Sequence, residues 1–74
     1  MRDGLKRKRL ARGFTQYGIS QAIGIGRTYY TELENGNRKG SLNVWLSIGS
    51  VLNIPENELI EYMKDYRRQK GEEG

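Results

Sequence analysis

Few side chains in this chain could do covalent or acid–base chemistry. It has no histidine and no cysteine, so the commonest general base, the thiol nucleophile and the usual zinc ligands are missing. Its nine acidic residues show no metal-ligand cluster, and no glycine-rich cradle follows a strand. The inventory argues against an enzyme and calls for no metal and no other cofactor. What remains is recognition. Arg27, Thr28, Tyr29, Thr31 and Glu32 lie close together and can donate, accept or stack without reacting. Thirteen Lys and Arg give the 74 residues a net charge of +4. Residues 1–40 carry nine of these cations against three acids, and residues 41–74 carry four against six. A basic excess confined to one half points to a polyanionic partner rather than to a merely solvated surface.

The elements that must carry these residues are short helices. Residues 4–12 read as the first, with Leu5 inward, a basic outer face and Gly13 at a left-handed stop. Thr15 is a good N-cap for the second, and Phe14 and Ile19 have the spacing of a hydrophobic staple. Ile19, Ala22 and Ile23 form its apolar face and Gly24 ends it, with Gly18 a weak point in its middle. The third spans about Arg27 to Glu34, with Tyr30 and Leu33 inward and Asn35-Gly36 as its stop. Residues 35–40 are a polar loop. Ser41 caps a fourth helix with Leu42, Trp45, Ile48 and Leu52 in helical period, and Leu46 and Val51 beside them. Pro55 suits the first position of a fifth helix, where Leu59, Met63 and Tyr66 run down one side. Glu56 and Glu58 favour its start, and Lys64, Arg67 and Arg68 favour its end.

These readings predict an all-α fold, a compact bundle of about five short helices over residues 1–68, with 69–74 a disordered tail. A charged N-terminus and the want of a long apolar run argue against a signal peptide or a membrane span. A membrane-surface peptide is disfavoured because the apolar faces are short and interrupted. The missing cysteines fit a reducing cytoplasm. The tight turn at Gly24–Gly26 should set the third helix roughly perpendicular to the second, leaving its polar side clear of the protein. Trp45 reads as core, with a dimer contact as the alternative.

The segment TQYGISQAIGIGRTYYTELENG resembles the helix-turn-helix of the Cro/lambda-repressor (XRE-type) regulators, with Thr15-Gln16, Gly24 and Leu33-Glu34-Asn35-Gly36 in that motif's register. The likeness runs from about Leu5 to Leu59 and includes the Ser41-to-Ile48 pattern. It implies a lambda-repressor-like DNA-binding domain in a bacterial or phage-encoded cytoplasmic regulator, acting on double-stranded operator DNA. By this resemblance Arg27, Thr28, Tyr29 and Glu32 face bases. Arg27 suits guanine O6 and N7, Glu32 suits cytosine N4, and the Thr28 methyl suits thymine. Gln16, Asn35, Arg38 and Lys39 match positions that grip the sugar-phosphate backbone. Arg9 and Glu34 match an internal salt bridge joining the first helix to the third. Arg7 and Arg12 are less favoured as phosphate contacts.

The sequence departs from the family at Gly26, where Ser or Thr usually caps, and at Ser20, where alanine is usual. Lys8 replaces a leucine that relatives often bury, and Tyr30 replaces a smaller core residue and brings a hydroxyl that needs a partner. The leading expectation is a repressor that binds a near-palindromic operator as a homodimer, with the fifth helix and the Trp45 region as candidate dimer surfaces. The alternative is the DNA-binding antitoxin of a toxin–antitoxin pair. A toxin or anti-repressor partner is left open.

Overall fold

The computed structural model describes residues 2–66, all in helices and the connections between them. The expected tail at 69–74 lies outside the described residues, as do Arg67 and Arg68. Five helices follow in order: α1 Asp3–Ala11, α2 Gln16–Ile23, α3 Arg27–Glu34, α4 Leu42–Leu52 and α5 Glu56–Lys64. None of them is long and apolar enough to cross a membrane.

Caps written in the sequence set most of these limits. The Thr15 hydroxyl accepts from the Gly18 N–H at 2.8 Å, and Ser41 Oγ accepts from the Val44 N–H at 3.3 Å, each satisfying a donor the first turn leaves unpaired. At the end of α2, Gly24 takes φ +77°, the Gly24 N–H bonds to Gln21 O and the Ile25 N–H bonds to Ser20 O. This left-handed closure reverses the chain within one residue, which an L side chain resists. The same pair of bonds recurs after α3, where Gly36 (φ +82°) donates to Leu33 O and Asn37 donates to Glu32 O. Asn53 does this work after α4 at φ 58°. Pro55 stands one residue before α5, as its N-cap rather than its first helical residue.

α2 packs against α3 and α4, α3 also meets α1, and α4 meets α5. The core joins Leu5, Ile19, Tyr30, Leu33, Trp45, Ile48, Leu52, Ile54 and Leu59, so every helix contributes to it. Trp45 is fully enclosed and its Nε1 donates to Lys39 O at 2.9 Å, which removes it as a surface anchor for a dimer. Three expected apolar positions are instead exposed. Leu42 is 61% and Leu46 49% exposed, and Ala22 also faces out. The buried stripe of α4 runs through Trp45, Ile48 and Leu52, and at roughly 100° per residue Leu42 falls about 90° from its centre and Leu46 further still. On α2 the inward place beside Ile19 goes to Ser20, whose hydroxyl donates to Tyr17 O at 2.7 Å. Ala22, one turn on from Ile19, is exposed. Met63 and Tyr66 are half-buried.

Where the resemblance implies a buried leucine, Lys8 makes an ion pair instead. Its Nζ lies 3.4 Å from Glu58 Oε2, and the Tyr62 hydroxyl donates to the same carboxylate oxygen. The Tyr62 ring lies so close to Gly4 that a Cβ there would come within 2.5 Å of it. A side chain at Gly4 would therefore have to displace the Tyr62 ring from the start of α1.

Candidate nucleic-acid interface

The turn at Gly24–Gly26 feeds α3 into the bundle with its two sides sharply divided. Tyr30, Leu33 and Glu34 are fully buried, whereas Arg27 and Thr28 are exposed. Ile25, in the middle of the turn, packs against the core. Gly26 supplies no side-chain cap, and no acid occupies the first turn of α3. Arg27 thus sits where the helix dipole already presents positive charge. That placement is mildly unfavourable for the helix and favourable for a bound anion.

The inner side of α3 is held by a buried charge network. Arg9 Nε donates to Glu34 Oε2 at 2.8 Å and its Nη2 to Oε1 at 3.1 Å, while Nη1 reaches Phe14 O at 2.8 Å. The Tyr30 hydroxyl donates to Glu34 Oε2 at 2.8 Å, which answers the need that a buried tyrosine creates. The Gln16 amide donates to Glu34 Oε1 at 3.0 Å and accepts from the Thr31 hydroxyl at 3.2 Å. Burial by itself would push the Glu34 carboxyl up, but bonds from Arg9, Gln16 and Tyr30, with the Arg9 charge, hold it below the ordinary carboxylate range. Tyr30 is driven well above the usual phenol range by burial, then by the Glu34 charge and hydrogen bond. Gln16 is therefore tied to the core of the motif at both ends of its amide, half-buried rather than free at the surface.

The outer side carries a second, exposed assembly. Arg38 Nε and Nη2 donate to Glu32 Oε1 at 2.9 and 2.7 Å, and the guanidinium lies over the Tyr29 ring at 4.6 Å. Tyr29 is not a free outward side chain. It is half-buried, packs against the core, and its hydroxyl accepts from the Ser41 N–H at 3.3 Å. Asn35 is half-buried just past α3, with its N–H on Thr31 O, and Lys39 is exposed. Lys6 and Arg7 lie on the exposed side of α1, and Arg12, its C-cap, is exposed too. The structure thus gathers Tyr29, Glu32 and Arg38 into one unit, and Gln16 and Thr31 with Arg9 and Glu34 into another. Arg27 and Thr28 stand clear of both.

Sequence reasoning passed over Arg2, which appeared only as an early charge. Its side chain is 1% exposed and donates to the carbonyls of Leu33, Arg38, Tyr62 and Met63. No periodicity could have marked it, because it precedes the first helix and its acceptors are main-chain atoms of three distant segments.

The family model described as "Helix-turn-helix" matches residues 5–59. The chain is similar to the protein named uncharacterized HTH-type transcriptional regulator YqaF of Bacillus subtilis, 52% identical over 52 residues, covering 70% of this chain and 68% of the relative. It is also similar to the protein named uncharacterized HTH-type transcriptional regulator YazB of the same organism, 39% identical over 51 residues, covering 69% of this chain and 74% of the relative. No solved structure matches at a comparable level of significance.

Proposed function

The chain belongs to the Cro/lambda-repressor (XRE-type) helix-turn-helix family of DNA-binding transcriptional regulators, and from that premise we propose that it is a repressor reading a near-palindromic operator as a homodimer. In this reading α3 enters the major groove and α2 crosses the phosphate backbone. The observation that carries it is the division of α3: Arg27 and Thr28 exposed at its start, Tyr30, Leu33 and Glu34 sealed beneath. Arg27 reads guanine, the Thr28 methyl meets thymine, and Tyr29 offers its ring edge beside them. Glu32 holds Arg38 through Oε1, so Oε2 is left to accept from cytosine N4. Arg38, Lys39, Asn35 and Gln16 grip the backbone, Gln16 by exchanging an internal partner for a phosphate.

One unit makes few base contacts, which is why two units spaced one helical turn apart, roughly 34 Å, support the homodimer reading. With Trp45 enclosed, the outer side of α5, where Ile60 is 46% exposed, is the surface proposed for the partner subunit.

Selection of bound duplexes from a random library tests the proposal directly. The wild type should yield an inverted repeat. Arg27→Ala should lose about 1–3 kcal/mol of binding and relax one base position in each half-site. An unaltered base preference would remove Arg27 from the reading set. Arg38→Ala should instead weaken all duplexes alike and lower the slope of log K against log salt by about 0.9. Loss at a single base would assign Arg38 to reading rather than to grip.

A further inference from the structure

Arg2 is a buried guanidinium whose hydrogen-bond partners among the described residues are all main-chain carbonyls. Nε donates to Tyr62 O at 2.7 Å, Nη1 to Leu33 O at 2.5 Å and to Arg38 O at 2.9 Å, and Nη2 to Met63 O at 3.4 Å. Its own backbone N–H closes onto Glu34 O at 2.8 Å, and the cation stands 4.8 Å over the Trp45 ring. Burial works against the charge and pulls its pKa down, with Asp65 and Tyr66 opposing that.

The compensation comes from main-chain dipoles. Leu33 and Glu34 end α3, and Tyr62 and Met63 lie in the last turn of α5. Each helix end carries roughly half a negative elementary charge, so two ends converging on one guanidinium supply about the charge it needs. The planar fork suits this arrangement, because its five donors point in fixed directions at separate acceptors. Lysine has fewer donors and a single centre.

Resting on the DNA-binding reading above, we propose that Arg2 is a positioning residue for DNA binding: it clasps the C-terminal end of α3 to the Arg38 main chain and so fixes the loop that offers Arg38 and Lys39 to phosphates. The loop is gripped from both sides. Outside, Glu32 and the Tyr29 ring orient the Arg38 guanidinium. Inside, Arg2 holds the Arg38 carbonyl, and Trp45 Nε1 holds the next one, Lys39 O. The segment between the Arg2 anchors, Asn35 to Asn37, is closed by the bonds to Leu33 O and Glu32 O. Without Arg2, the carbonyl end of this frame loses its cation while the cap at Gly36 survives.

The test compares wild type with Arg2→Met and with Arg2→Lys, which keeps the charge but not the fork. Each is measured at a temperature where urea titration shows it fully folded, on a duplex selected by the wild type and over a series of salt concentrations. Arg2→Lys is expected to fold and to bind about tenfold more weakly, the effect of one lost charge-assisted bond. Its salt slope should fall toward that of Arg38→Ala. Adding Arg38→Ala to either variant should cost less than it does in the wild type, because both changes spoil the same contact. A folded Arg2→Lys with wild-type affinity and salt slope, or full additivity with Arg38→Ala, overturns the positioning role and leaves the DNA-binding reading intact. A wild type that selects no duplex overturns that reading, and this proposal with it.

Discussion

Arg9→Met is expected to remove about 3–5 kcal/mol of folding stability, because it strands the Glu34 carboxylate in the interior without its cation. For a domain of this size, total stability is on the order of 4–11 kcal/mol, so the variant should be near its unfolding threshold at room temperature. The physical ground is that Glu34 has no exposure and takes two of its four hydrogen bonds from Arg9. Gln16 and Tyr30 supply the others, and neither carries charge. The double variant Arg9→Met, Glu34→Met should be less damaged than the sum of the single changes, since it buries no unpaired ion. Additive losses would show that the pair is not coupled.

Acid should bring wild type and Arg9→Met closer together in stability. The folded-state pKa of Glu34 is depressed, so its contribution is complete above the unfolded carboxylate value of about 4.3 and is lost as pH falls through the lower folded value. In Arg9→Met the buried carboxylate has lost its cation, and protonation relieves it. The stability gap between wild type and Arg9→Met, read by urea denaturation and circular dichroism, should therefore narrow between about pH 5 and pH 3. A gap that stays constant across that range would place the charge interaction elsewhere.

What could be read from the residues in advance follows a physical division. Helix limits were legible where the signal is local. Thr15, Ser41, Gly24 and Gly36 act on main-chain groups within a few positions of themselves, so their roles are written in the order of the chain. The inward course of Tyr30 and Leu33 followed from helical spacing alone. Spacing failed where a short helix leaves the angular position of the core undetermined. Eleven residues of α4 contain enough leucine and valine to centre the stripe in more than one place, and Trp45 with Ile48 decided against Leu42 and Leu46. On α2, serine displaced alanine inward because its hydroxyl could bond back to Tyr17 O. At the candidate site, the polar character of Arg27, Thr28, Tyr29 and Glu32 was plain. Their pairing was not. Whether Glu32 stands free or takes Arg38 depends on how the loop after α3 folds back, and that path depends on Arg2, far away in sequence, and on Trp45 in the next helix.

The loop's path also makes Gly40 the position where a single methyl group should do most harm outside the charge network. Gly40→Ala is expected to cost about 2–4 kcal/mol, the sum of roughly 1 kcal/mol for an L residue held in the left-handed region and about 1–3 kcal/mol of overpacking. Gly40 has φ +83°, and a Cβ there would lie 2.5 Å from Leu33 Cδ1 and 2.7 Å from Trp45 Nε1. Neither neighbour can yield cheaply. Leu33 and Trp45 are both fully buried, and the indole is anchored by its bond to Lys39 O. Relief has to come from the loop itself, which would shift Lys39 and Arg38 away from the end of α3. Gly13→Ala provides the control. Gly13 has φ +78° but nothing within 4 Å of its Cβ direction, so it should lose only the backbone part, about 1 kcal/mol. Thermal unfolding of the two variants isolates the contact, and DNA affinity at full folding shows whether the loop has moved. Equal losses at positions 13 and 40 would mean that the loop is not braced against Trp45, and the close approach would then have no part in holding Arg38 and Lys39 in place.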